Sequence, residues 1–413
     1  MMYDPSKMPD KFAKWPREAR VQHLSYRFLK TPFTKDVHDL LEHLYWPAGL
    51  EPEGEGCFIL GDTGVGKTTA VRMFTNEKYA ELRAADPSGT WYRPKVFGTD
   101  LAPICHKTLG GLRRPIAVVW VDPRPRFNSF MKDTALGLQV DLGARFDFGH
   151  ACIEIARALE EQEVKMIIFD DVQHIVENNM NVYGAGDVFK VFAKARVQVI
   201  CIGLPKAEDL GTENEQLERL VANTYTVLPL RCSVNDFPKI DDNGKVIGRE
   251  LQQLTPFRRL MKALDRRDGK NTVLPFDEDS NLSAPDMALR IHQAYRGYTG
   301  QMMKLVMRAA KLAIEDGSSR ITRKHFEDAY RKASRCSDEA NWFKMPFSQV
   351  QDLFGSVVAK RPVEDDGEEG SAEEWPAAKP KGGRGRGTSK GTRPPMSDED
   401  RRRVDDAFAG RRT

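Results

Sequence analysis

Eight consecutive residues, Gly61-Asp62-Thr63-Gly64-Val65-Gly66-Lys67-Thr68, have the types and spacing that hold a chain of phosphates. Glycines at the first, fourth and sixth places let backbone N–H groups turn inward around an anion, and a helix opening at Lys67 would add the positive end of its dipole. Lys67 is placed to reach the β- and γ-phosphates, Thr68 to hold Mg²⁺, and Thr69 continues the phosphate-facing turn. The octet follows a short apolar run, CFIL (57–60), and leads into TTAVRMF, so it sits between a strand and a helix as this chemistry requires. ATP with Mg²⁺ is the ligand the pattern implies.

About a hundred residues downstream, Ile167-Ile168-Phe169 runs into Asp170-Asp171. An apolar strand that ends in two carboxylates supplies what a phosphate loop lacks. Asp170 would hold Mg²⁺, directly or through water, and Asp171 would polarise the attacking water. Other chemistry finds no support. The eight histidines are scattered without metal-ligand spacing, there is no G-x-S-x-G elbow, and the six cysteines form no C-x-x-C pair. Cys57 and Cys201 lie inside apolar runs, where a thiol acts as a small buried hydrophobe in a reducing compartment.

Elements must bring these groups together. Five apolar runs, CFIL (57–60), IAVVWV (116–121), MIIF (166–169), VQVICIGL (197–204) and YTVLPL (225–230), alternate with helical stretches. Their continuous hydrophobicity predicts a parallel five-stranded sheet covered by helices on both faces, an α/β domain over 49–235. Ahead of it, residues 1–48 form a helical extension in which Val37, Leu40, Leu41 and Leu44 share one face and Thr34 serves as N-cap.

After it, Asn243-Gly244 marks a hairpin, and helices are expected at 256–267, 285–296, 300–316 and 322–335, with Gly317 stopping the third and Thr322 capping the fourth. These make a small all-helical lid over 236–340, followed by a connecting segment, 341–362. Residues 364–374 carry seven acids and no base, whereas 379–393 carry six bases among Gly, Pro, Ser and Thr, so 363–413 is expected to be a disordered acidic and basic tail.

The chain has 413 residues, is 40% hydrophobic and sets 63 Lys and Arg against 60 Asp and Glu. Such a chain can build a substantial core, and a net charge of +3 leaves any nucleic-acid site to a local patch. The first residues lack the apolar core of a signal peptide, and no run approaches the roughly 20 apolar residues of a membrane span. A cytoplasmic protein without membrane contact is the expectation.

The GDTGVGKTT loop, the IIFDDVQHIV strand and the VQVICIGLPKAE strand together resemble the TniB/TnsC group of AAA+ ATPases, regulators of target selection in DNA transposition. Asp170, Asp171, Gln173 and His174 match the family's D-E-x-Q-H run with Asp in place of Glu. Gly203-Leu204-Pro205 follows its sensor turn except at Leu204, and Gln216-Leu217-Glu218-Arg219 resembles the helix that comes next. YTGQMMKLVMRAAKLAI and residues 321–329 resemble the end of its helical lid, where Lys304 lies near the place of the family's phosphate-contacting arginine.

The resemblance spans about 20–335. It implies an AAA+ P-loop NTPase fold and a homo-oligomer, ring or helical filament, with sites between subunits and Arg219 completing a neighbour's site. It also implies non-specific contact with double-stranded DNA through Arg124, Arg126 and Lys132, and partnership with a transposase and a TniQ-like target-selection protein. The shorter Asp171 implies slow hydrolysis. A helicase loader and a signalling NTPase share the loop, sensors and lid, and remain as alternatives.

Overall fold

The computed structural model describes residues 8–26, 31–178, 182–212, 223–230, 232, 239–240, 246–247, 256–267 and 272–359. At its centre is a sheet of seven strands: β1 (Gly56–Leu60), β2 (Thr90–Tyr92), β3 (Ile104–Thr108), β4 (Gly111–Trp120), β5 (Met166–Asp170), β6 (Gln198–Gly203) and β7 (Asn223–Thr226), in the order β2-β3-β4-β5-β6-β1-β7. From β4 to β7 every neighbouring pair is parallel, as the apolar runs predict. Two further strands correct the expected five, because β2 and β3 add an antiparallel edge and make the sheet mixed. Both are short and partly polar, so neither carries the fully apolar signature of a covered strand. The last strand also starts earlier than the run at 225–230 suggests, at Asn223.

Helices cover both faces. On one side α2 (Pro32–Tyr45) and α3 (Lys67–Ala85) bury Val37, Leu41, Val71 and Phe74 against Ile59, Val118, Ile168 and Ile200. On the other, α4 (Phe127–Gly137), α5 (Phe148–Glu161) and α7 (Val182–Lys194) bury Phe130, Ile155 and Phe189 against Phe58, Phe169 and Cys201. Alternate residues of each strand therefore enter different cores, which is why the runs are apolar throughout. Phe169 is the hub of the second core, with ring centroids 5.8 Å from Phe130, 5.2 Å from Phe189 and 5.6 Å from Phe192. Short α6 (Gln173–Glu177) follows β5, and α8 (Asp209–Thr212) follows β6.

A separate apolar core, covering the region expected to form the lid and called the lid below, is built from α9 (Pro256–Asp265), α10 (Pro285–Tyr295), α11 (Thr299–Glu315), α12 (Arg323–Ser334) and α13 (Phe347–Ala359). Gly317, in the left-handed region at φ 80°, ends α11 and Thr322 caps α12, both as the sequence predicts. The hairpin is present as β8 (Lys239–Ile240) and β9 (Val246–Ile247), paired antiparallel, while its Asn243-Gly244 turn lies outside the described residues. Phe343 and Val350, from the expected connecting segment 341–362, are fully buried in this core, so that segment is part of it. Arg290, wholly buried, binds them in place by pairing with Asp286 at 2.6 Å and donating to the carbonyls of Trp342 and Met345.

The N-terminal helices divide between the two cores. α1 (Arg17–Tyr26) contributes Leu24 to the lid core, and the turn before it donates backbone N–H groups of Phe12 and Ala13 to Asp277 at 2.9 and 2.8 Å. α2 packs instead on α3. Its N-cap is Thr31 rather than Thr34: Thr31 accepts from the Thr34 backbone, Thr34 answers by accepting from the Thr31 backbone, and Pro32 takes the first helical position. Among the described residues no helix is long and apolar enough to cross a membrane.

Candidate nucleotide site

Strand register brings the chemistry to one edge. Leu60 lies opposite Gly203, Ile202 opposite Asp170, and Asp170 opposite Trp120, so β1, β6, β5 and β4 end in one row at the carboxyl edge of the sheet. Ligands of open α/β sheets bind at that edge. β6 stands between the strand that leads into the phosphate loop and the strand that ends in the two carboxylates. Side chains from either side must therefore meet across its end.

Gly66 is the N-cap of α3 at φ 107°, a conformation that disfavours any L side chain. It turns the loop so that Lys67 begins the helix and its first amides face outward. The Lys67 ammonium donates to the carbonyls of Gly61 at 2.6 Å and Asp62 at 3.0 Å. Burial lowers its pKa from the ordinary value, against the pull of the carboxylates of Asp170, Asp171 and Asp62. Val65 is fully buried in the core under the loop, whereas Asp62 and Thr63 are exposed at its crest. Thr69 lies in the first turn of α3.

Thr68 Oγ1 lies 3.4 Å from Asp170 Oδ1, joining phosphate loop and acidic strand across 102 residues. Asp170 is 4% exposed, and burial pushes its pKa up to about 6, with Asp171 adding to the rise and a hydrogen bond from Thr99 opposing it. Asp171 takes a left-handed backbone at φ 64°. Its Oδ2 accepts from the Trp120 indole at 3.3 Å and its Oδ1 from Gln173 Nε2 at 3.2 Å, while Gln173 Oε1 accepts from the Leu204 backbone at 3.2 Å. A cavity of about 490 Å³ opens here, lined by Thr68, Gly98, Thr99, Asp100, Asp170 and Asp171.

The donor set fits Mg²⁺. A hydroxyl and one buried carboxylate are hard oxygen ligands, and this ion takes few protein ligands, leaving the rest of its shell to phosphates and water. Among the described residues there is no group of three His, Cys, Asp or Glu side chains that could hold a metal by themselves.

The lid reaches the same loop. Tyr298 OH donates to Asp62 Oδ2 at 2.8 Å, and the Gly300 backbone donates to the carbonyl of Gly64 at 2.8 Å. Gly64, at φ 87°, leaves room for Gln301, whose side chain would lie 2.8 Å from any β-carbon placed there. Lys67, Thr68, Asp170 and Asp171 thus lie together, and beside them stand Thr99, Trp120 and Tyr298, which the sequence does not single out. No local pattern marks the first two; Tyr298 stands inside a recognised lid stretch without a role.

The remaining candidates lie apart. Arg124 and Arg126 are exposed on the loop after β4, with the Arg124 backbone donating to Asp122 at 2.7 Å and Arg126 at the N-cap of α4. Lys132 is exposed on α4, its ammonium 5.9 Å from the centre of the Phe146 ring. Arg219 and the tail from 363 lie outside the described residues.

Residues 53–210 match a family model described as an AAA domain. With the phosphate loop on β1, the acidic pair on β5 and β6 between them, the chain has the AAA+ P-loop NTPase fold, a mixed sheet flanked by helices. Among solved structures the chain is similar to the Aeropyrum pernix ORC1 protein in complex with DNA, at 14% identity and a TM-score of 0.48 over 76% of this chain and 69% of that one. It is also similar to the Aeropyrum pernix ORC2 protein in ADPNP and ADP complexes, at 11% identity and 0.49 over 76% and 72%. For Drosophila ORC bound to DNA the values are 12% and 0.41 over 87% and 83%. No curated protein matches the chain.

Proposed function

We propose that this chain is an ATP-hydrolysing AAA+ ATPase that assembles on duplex DNA and regulates DNA transposition in the manner of the TniB/TnsC group. The observation that carries the ATPase reading is the meeting of Thr68 and Asp170 beside Lys67, with Asp171 one residue further on. Loop amides and Lys67 bind the phosphates, and Thr68 and Asp170 hold Mg²⁺. When bound, the ion supplies positive charge against the γ-phosphoryl group as it transfers.

Asp171 orients water and accepts its proton. Trp120 and Gln173 fix the carboxylate for that task, and the second hydrogen bond of Gln173 ties it to the end of β6 at Leu204. Asp171 is one methylene shorter than the glutamate common in the resembling family, which favours slow turnover and a long-lived ATP state. Arg219 of a neighbouring copy would stabilise charge on the transferred group.

The transposition reading rests on the resemblance across about 20–335, and the DNA reading also on the exposed cations Arg124, Arg126 and Lys132. Such cations bind phosphates without reading sequence. ATP would hold the polymer on DNA and hydrolysis would release it, while the tail from 363 recruits the transposase or a TniQ-like protein.

Mass photometry with duplex DNA, with and without ATP, tests the reading. A ladder or filament that needs both ATP and DNA, and that Lys67→Ala abolishes, is the expected result. Oligomers that form with ATP regardless of DNA would overturn the transposition reading in favour of a signalling NTPase.

A further inference from the structure

The two carboxylates of the site share a neighbour that belongs to neither motif. Residues 96–101, between β2 and β3, run along the carboxyl edge of the sheet. Thr99 Oγ1 donates to Asp170 Oδ2 at 2.6 Å, a much shorter contact than the 3.4 Å from Thr68 to the other oxygen. The Thr99 hydroxyl receives the Leu101 backbone N–H at 3.1 Å and gives its single hydrogen to the Asp170 carboxylate, which when ionised can only accept. Leu101 itself is 1% exposed and anchors the loop in the core beneath.

The other end of the loop rests on Trp120. Gly98, at φ 82°, lies so close that a β-carbon there would come 2.2 Å from the indole. Phe97 meets the same ring edge-on at 5.4 Å. Trp120 in turn donates to Asp171. Three residues of one loop, Phe97, Gly98 and Thr99, therefore reach both carboxylates, Asp170 directly and Asp171 through one indole.

We propose that Thr99 is a positioning residue of the nucleotide site, setting the carboxylate plane of Asp170 so that its other oxygen, Oδ1, and the Thr68 hydroxyl beside it face one Mg²⁺ ion. The terminal torsion of an aspartate is broad, so hydrogen bonds rather than rotamer preference decide where its oxygens point. Thr99 pins one oxygen and thereby presents the other. A partner of this kind governs metal affinity without touching the metal. The inference rests on the reading of Thr68 and Asp170 as the magnesium-holding pair.

The test uses the full chain and a fluorescent ATP analogue, titrated across Mg²⁺ concentrations and in EDTA. Thr99→Ala should raise the Mg²⁺ concentration needed for tight nucleotide binding by roughly 10–100-fold, with affinity in EDTA and the melting temperature unchanged. Thr99→Ser, which keeps the hydroxyl, should restore the wild-type Mg²⁺ dependence. An unaltered Mg²⁺ dependence in Thr99→Ala would overturn the proposal while leaving the site intact. So would equal loss of binding with Mg²⁺ and with EDTA alongside a lower melting temperature, since that marks a loop staple and no more. Absence of any Mg²⁺ effect in the wild-type chain would instead overturn the reading of Thr68 and Asp170 itself.

Discussion

Asp170 is the place where the fold gives up stability for its site, and Asp170→Asn measures how much. The carboxyl group is 4% exposed and its pKa rises from the ordinary 3.8 to about 6, chiefly through burial. Its folded form thus holds a proton more tightly than its unfolded form. The wild-type protein therefore loses stability as pH climbs from about 4 through 6, and the loss is complete above that. Two pH units at about 1.4 kcal/mol each amount to about 3 kcal/mol at neutral pH.

Asparagine has nearly the same shape. Its oxygen accepts from Thr99, its amide faces the Thr68 hydroxyl, and it carries no charge to desolvate. In EDTA at pH 7.5, Asp170→Asn should be more stable than wild type by up to about 3 kcal/mol, and the gain should vanish below about pH 4 where both side chains are neutral. Saturating Mg·ATP should reverse the order. At about a thousand times its dissociation constant a ligand adds about 4.1 kcal/mol to the wild type, more than that difference, and the variant, lacking the carboxylate, should gain little. Thermal and urea unfolding in the two buffers across pH 4–8 read both effects. A variant less stable than wild type in EDTA at pH 7.5 would refute the argument, because the carboxylate would then be stabilised where it lies.

Other substitutions probe the remaining parts. Asp171→Asn should keep Mg·ATP affinity yet slow hydrolysis by about 10²-fold or more, seen as phosphate release in single turnover; undiminished release would assign the water to another group. Replacing Arg124, Arg126 and Lys132 together by alanine should flatten the salt dependence of DNA binding, each lost phosphate contact removing about 0.9 from the logarithmic slope. An unchanged slope would leave these cations as solvated surface. Arg290→Ala strips three hydrogen bonds from a fully buried arginine and frees the segment holding Phe343 and Val350. It should cost about 3 kcal/mol of lid stability, measured by protease resistance beyond Ser334.

What the sequence disclosed follows the range over which its signals act. The phosphate loop is legible because eight neighbouring residues determine their own backbone, and the lid helices because period, cap and stop signals lie within each segment. Four of the strands, β1, β4, β5 and β6, are legible because both faces are apolar, whereas β7, with the sequence NTYT, is largely exposed and is marked only by the apolar run that overlaps its end. β2 and β3 are not, since edge strands with mixed faces look like loops, and with them goes Thr99, whose partner Asp170 lies 71 residues away. At the start of α2, helical spacing pointed to a later cap, but Pro32 extends the helix back to Thr31. Long-range register, as between Trp120 and Asp170, leaves no mark that one chain alone can show.

The division of α1 and α2 between the two cores makes the N-terminal region a second tether between them. Tyr26, at the end of the helix on the lid, and Thr31, at the cap of the helix on the nucleotide domain, are five residues apart. Covalent geometry alone keeps their α-carbons within about 18 Å of one another. If the lid swings away from the phosphate loop, breaking the Gly300–Gly64 and Tyr298–Asp62 bonds, its arc is bounded on the α1 side by that length as well as by the connection after β7. The two cores are thus joined by two stretches of the chain rather than one.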